Sequence, residues 1–239
     1  MPSSVWDLFD SAGVEPQGPI RFCERLPSRS PGVYVISRVS DMQEDGSTRC
    51  SAPCLDEEAI EQWLRMNPCL RLDSDDHRPT VAELRERLAA FWLPDEPVLY
   101  VGQTSKSLGE RLSAYRRTPP ERSRPHAGGY WLKLVAGYSS KFVFWAARTD
   151  PNAAEKAMLD RFVSRVSRQT RALLLDPLRP FPFANLEHPK GNVKAHGIKH
   201  PHCGGYGRSV SPAQAVHHDG PTQVAGPAPV SQKLQLDQR

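Results

Sequence analysis

Two short runs of β-branched residues, each built around a tyrosine, place the strongest constraint on how this chain can fold. Val33 to Val39 (VYVISRV) and Val98 to Gly102 (VLYVG) both read as strands. Sixty-five residues lie between Tyr34 and Tyr100. Pairing of the two runs survives so long a connection, because loop-closure entropy rises only with the logarithm of length. The connection has structure of its own. Asp56 caps a helix through about Met66, with Ala59, Ile60, Trp63 and Leu64 on one face. Thr80, with Glu83 three residues on, has capping-box spacing and opens a second helix to about Trp92. Residues 41–96 are therefore expected to form a two-helix insertion between the first two strands.

Charge divides the chain in the same place. The formal net charge is +4. Residues 41–96 carry six basic against fourteen acidic side chains, a net of −8, while residues 97–239 carry twenty-one against nine, a net of +12. The second half has the electrostatics of a polyanion binder. The acidic insertion belongs to something else, such as a docking lobe for a protein partner or a guard against nucleic acid.

The remaining elements follow from local pattern. Residues 3–12 suit a short helix within an N-terminal lead-in (1–30). Leu108 to Arg116 reads as a helix, 118–129 as a loop, and Phe142 to Ala147 as a strand. Tyr130 to Val135 is apolar with no decisive period. Asp150-Pro151 is a helix start, continuing to about Val166 with Ala154, Met158, Leu159 and Phe162 facing a core. From Gly204 to Arg239 Gly, Pro, Ser, Gln and His dominate, and disorder is expected. No run approaches the ~20 apolar residues of a membrane span, and residues 1–13 lack a secretory signal pattern. Five cysteines, an odd number in 239 residues, fit reduced thiols in a cytoplasm better than a disulfide framework. Neither Cys50, Cys54, Cys69 and His77 nor His196, His200, His202 and Cys203 have the spacing of a tight zinc knuckle.

Hydrolysing a phosphodiester without a covalent intermediate needs a base for water, a cation for phosphate charge, a metal at the leaving group and a fixed phosphate. Gly32-Val33-Tyr34 and Tyr100-Val101-Gly102 resemble the paired signature of the GIY-YIG nuclease family. The helix that follows carries L-x-x-R-L at 108–112, and Tyr115 lies four residues after Arg111, on the same helical face. Glu155 in the first turn of the next long helix is similar to the family's metal-binding acid. Pro182-Phe183-Ala184-Asn185 resembles its late Pro-x-x-Asn element. Together the matches cover roughly 20–40 and 97–188.

The resemblance implies an α/β (α+β) fold: a small three-stranded, mainly antiparallel sheet flanked by helices, with the core at 31–40 plus 97–188 and the insertion at 41–96. It implies a metal-dependent endonuclease acting on DNA, of restriction or genome-defence type. In that reading Tyr34 is the leading general base and Tyr100 positions the water or shares the base role. Arg111 stabilises the transition state, Glu155 holds Mg²⁺ or Mn²⁺, and Tyr115 and Asn185 orient their neighbours. A free phenol is a poor base at neutral pH, so positive charge nearby must favour phenolate. Residue by residue each has a plainer reading: strand aromatics, a solvated arginine, an acid complementing a first-turn helix dipole, a turn asparagine. A catalytically silent nucleic-acid-binding or adaptor module, or an RNA-directed nuclease, is the alternative. Gln103 stands where many family members carry Lys.

Beyond the core, Arg116, Arg117, Arg122 and Arg124 in and after the second motif helix are candidates for backbone phosphate contacts with double-stranded DNA. So are Lys190, Lys194 and Lys199 in a basic extension at 189–203.

Overall fold

The computed structural model describes residues 2–45, 54–73, 77–118 and 130–199. In chain order these form α1 (Val5–Ser11), β1 (Gln17–Arg21), β2 (Gly32–Ser37), α2 (Glu57–Met66), β3 (Arg71–Leu72), α3 (Val81–Ala89), β4 (Val98–Thr104), α4 (Leu108–Arg117), β5 (Phe142–Ala147), α5 (Pro151–Arg165), α6 (Arg168–Ala172) and β6 (Ile198–Lys199). Tyr130–Leu134 is a 3₁₀ helix, which settles the segment whose period is ambiguous.

The fold is mixed α/β. Its central sheet has four strands in the order β1-β5-β2-β4, all antiparallel, where three were expected. The extra strand, β1, contains Gly18 and Pro19. Proline cannot donate to a ladder, and an edge strand tolerates that; β1 pairs only with β5. β2 lies in the middle, with Tyr34 opposite Gly102 on β4 and opposite Trp145 on β5.

Alternation along the strands sorts side chains onto two faces. Val33, Val35, Val101, Phe144 and Ala146 pack against α1 and α5 through Leu8, Phe9, Met158, Leu159 and Phe162. Tyr34, Ile36, Tyr100, Val143 and Trp145 enter the opposite core. That core also contains Ile60, Trp63 and Leu64 of α2, and Leu84 and Leu88 of α3. The acidic insertion is thus not a lobe hung from a loop: its apolar faces belong to the same core as the tyrosines, with Trp63 packed on Tyr130. β3, inside the insertion, pairs antiparallel with β6, tying the basic extension to it.

The caps form as the sequence indicates. Asp56 accepts from Ala59 N–H, and Thr80 and Glu83 complete both halves of a capping box. Asp150 caps α5 with Pro151 in its first turn. α3 ends at Ala89, three residues short of Trp92.

Cys69 is disulfide-bonded, with its partner outside the described residues, whereas Cys23 and Cys54 are free. The expectation of reduced thiols throughout fails at Cys69. Oxidation also removes its sulfur from any zinc set, since thiolate is the metal ligand. Residues 204–239, expected to be disordered, lie outside the described residues, as do Arg122, Arg124, His200, His202 and Cys203. Among the described residues no helix is long and apolar enough to cross a membrane.

Candidate active site

The site begins with a cross-strand diagonal. Tyr34 on β2 and Tyr100 on β4 point to the same face, with ring centroids 5.9 Å apart. Tyr115 on α4 packs edge-on against Tyr100 at 6.0 Å and against Phe22 at 5.3 Å. Gly102 makes this cluster sterically feasible: a Cβ there would lie 2.5 Å from Tyr100 Cε1 and 2.7 Å from Tyr34 Cζ.

Arg111, one turn before Tyr115 on α4, donates hydrogen bonds to the phenol oxygens of both Tyr34 and Tyr100. Burial raises the Tyr34 phenol above the ordinary tyrosine range, while Arg111 and the hydrogen bond from Tyr100 pull it down. Burial wins. Tyr100 and Tyr115 are raised further, also chiefly by burial. The guanidinium therefore acts on the phenol as anticipated in sign, but loses to desolvation.

Glu155 lines the same cleft as Tyr100, Arg111, Gln103, Asn185 and Glu187, a space of about 190 Å³. It lies in the second turn of α5, since the helix starts at Pro151 and no acid occupies the first turn. The first-turn placement is thereby corrected. The dipole reading loses its force with it, because the effect falls off within that turn. Burial pushes the carboxyl up to about 7, Arg111 pulls it back, and Glu187 adds to the rise.

Asn185 holds the outer edge of β4. Its carboxamide accepts from Val101 N–H and donates to Val101 C=O, each at 2.8 Å. Ala184 N–H donates to Leu99 C=O at 2.9 Å beside it. Segment 182–187 so occupies the edge as a surrogate strand and carries Glu187 to the cleft.

Glu187 and His188 line the cleft but do not stand out in the sequence; their one signal is adjacency to Asn185. His188 Nε2 lies 3.1 Å from Asp160 Oδ1 and its Nδ1 accepts from Lys190 N–H. Burial lowers the imidazole's pKa and Asp160 opposes that. Through the Lys190 N–H bond and its closeness to Asp160, His188 braces the segment.

Among the described residues no group of three or more His, Cys, Asp and Glu forms a metal cage. Two carboxylates at one cleft nevertheless fit a hard cation such as Mg²⁺, which keeps several waters and takes few protein ligands. Gln103 Oε1, buried at the same cleft, has no hydrogen-bond partner among the described residues.

The candidate phosphate contacts divide. Arg117 is exposed. Arg116 instead donates to the backbone carbonyls of Phe22 and Glu24. Lys190 is exposed and lies 3.7 Å from Asp160, and Lys199 donates to Asp73 C=O. Lys194 is overturned as a surface contact: it is 2% exposed. Its Nζ donates to Pro182 C=O at 3.1 Å and Phe183 C=O at 3.0 Å, among the Phe91 and Trp131 rings. Burial lowers its pKa to about 7.

No family model, curated protein or solved structure matches this chain.

Proposed function

We propose that the protein is a metal-dependent endonuclease of GIY-YIG type that hydrolyses phosphodiester bonds in DNA. One observation carries the reading. Arg111 bridges the phenols of two strands that are distant in sequence, and Glu155, from a third element, opens on the same cleft. Chance packing of aromatics explains buried tyrosines; it does not explain a shared guanidinium facing a half-buried carboxylate.

In this reading Arg111 holds the scissile phosphate and stabilises the charge of the pentacovalent transition state. Tyr34, as phenolate, takes the proton of the attacking water while Tyr100 orients that water. The new bond forms from water oxygen to phosphorus, and the bond to the 3′ oxygen breaks. Glu155, with Glu187 beside it, holds Mg²⁺ or Mn²⁺. When bound, the cation supplies Lewis-acid neutralisation of the leaving oxygen. Asn185 keeps β4 in register for Tyr100.

A second reading has its own support. Tyr34 is wholly buried and its phenol is raised, as expected of a catalytically silent binding module. Plasmid nicking with and without Mg²⁺, by the parent and by Glu155→Ala and Arg111→Ala, decides between them. Mg²⁺-dependent nicking lost in both variants supports the nuclease. Binding without nicking by the parent supports the silent module, and cleavage confined to RNA would reassign the substrate.

A further inference from the structure

A groove several times larger than the cleft above opens elsewhere on the described surface. It lies between α4 and the segment leading into β2, with a volume of about 1040 Å³, and Arg25, Arg29, Arg116 and Arg117 line it. Arg25, Arg29 and Arg117 are exposed, and none of the three forms an ion pair among the described residues. Glu110 is the one acid on its walls. Four guanidinium groups gathered against one carboxylate favour an anion, and their planar forks match phosphate oxygens.

The wall that carries Arg25 and Arg29 is fixed to α4 by backbone. Leu108 N–H donates to Ser30 C=O at 3.0 Å and Gly109 N–H to Ser28 C=O at 2.9 Å. Ser107 Oγ donates to the same Ser28 carbonyl at 3.3 Å. Arg116 ties the start of the segment through the Phe22 and Glu24 carbonyls. Gly109 permits the approach, since a Cβ there would stand 2.7 Å from Leu26 O. The arginines therefore project from a preorganised wall, which lowers the ordering cost of binding.

At about 100° per residue, Gly109, Ser113 and Arg116 fall on the flank of α4 opposite Arg111. The groove is thus about one helix width, ~10 Å, from the cleft. Along a strand rising ~3.4 Å per nucleotide, that distance is about three nucleotides.

We propose that this groove is a second phosphate-binding track, gripping the DNA backbone about three nucleotides from the scissile bond. Its assignment to DNA rests on the nuclease reading; its preference for a polyanion does not. The groove sets affinity and register, and Arg111 and Glu155 do the chemistry.

The test is fluorescence anisotropy of a labelled 20-base-pair duplex with the full chain in EDTA, from 50 to 300 mM salt, so that no cleavage is needed. The variants are Arg25→Ala/Arg29→Ala/Arg117→Ala and the matching triple Lys substitution. The Ala variant is expected to lower the slope of log K against log salt by about 2–3, near 0.9 for each phosphate no longer neutralised. Affinity at 100 mM salt should fall roughly 10- to 100-fold, while the Lys variant keeps the parent slope and far-ultraviolet circular dichroism is unchanged in both. An Ala variant with the parent slope overturns the groove, even if the parent nicks plasmid. A parent that binds no duplex overturns it as well. A reduced slope in a protein that never nicks upholds the groove and removes the nuclease reading alone.

Discussion

The Asn185 carboxamide meets both backbone polar groups of Val101, accepting from its N–H and donating to its C=O at 2.8 Å each. Both are buried, and β4 is the sheet's edge strand on that side. Asn185→Ala is expected to leave two orphaned groups and to cost about 2–4 kcal/mol. Asn185→Asp is expected to cost at least as much, because a carboxylate cannot donate to the Val101 carbonyl. Urea denaturation midpoints check both; an Ala variant with the parent midpoint would refute the buttressing role.

Gly102 leaves no room for a side chain beside the phenols. In Gly102→Ala the new methyl meets two phenol rings at 2.5 and 2.7 Å, so the rings must shift. Overpacking of this kind costs about 1–3 kcal/mol. Displaced phenols also lose their alignment with Arg111. The variant is expected to alter the near-ultraviolet dichroism of tyrosine and to lower nicking at least tenfold; an unchanged spectrum would count against the close approach.

The pH profile of nicking follows from two raised groups. Glu155 is pushed up to about 7 by burial, so protons compete with the cation below that pH, and metal affinity rises as pH rises through it. Tyr34 is raised by burial above the ordinary tyrosine range, so its ionised fraction grows tenfold per unit throughout the neutral range. At limiting Mg²⁺ the log rate should climb with slope about two below pH 7 and about one above it. Saturating Mg²⁺ should remove the lower break. A rate that falls between pH 7 and 8 would contradict this assignment of base and ligand.

Lys194 shows what the sequence conceals. A lysine among Lys190, Lys199 and His196 reads as solvated, yet Phe91 and Trp131, far away in the chain, close around it. Lys194→Met is expected to leave the salt dependence of DNA binding unchanged. It should cost about 1–3 kcal/mol at pH 8, because the Pro182 and Phe183 carbonyls lose a donor. Anisotropy titrations and urea melts separate the two effects; a reduced salt slope would restore the surface reading.

The legibility of the rest follows the same logic. β2, β4, β5 and the capped starts of α2, α3 and α5 are readable because their signals are local: alternation, a cap, a proline. β1 is not, because Gly18 and Pro19 break the pattern and an edge position tolerates them. The five-residue α6 is shorter than any reliable helical period. At the site, Tyr34, Tyr100, Arg111, Glu155 and Asn185 are legible from the order of their motifs. Glu187 and His188 have no pattern of their own, and reach the cleft because Asn185 fixes their segment to β4. Phenol burial is equally hidden, since Tyr34, Tyr100, Tyr115 and Phe22 come from separate parts of the chain.

Glu96 offers a test of the fold that involves no catalysis. Its Oε2 accepts from Ser3 N–H at 3.1 Å, which ties the N-terminal lead-in to the end of the insertion. Burial pushes the carboxyl up to about 7, with the Ser3 N–H opposing. A carboxyl raised in the folded state stabilises the fold fully below its unfolded value near 4.5, and this contribution is lost as pH rises through 7. The loss is on the order of 1–3 kcal/mol. Glu96→Gln keeps an acceptor for Ser3 N–H and cannot ionise. The variant should match the parent near pH 4.5 and exceed its stability by that amount at pH 8. Denaturant melts at both pH values measure the difference, and parallel losses in parent and variant would show that Glu96 is not held protonated by burial.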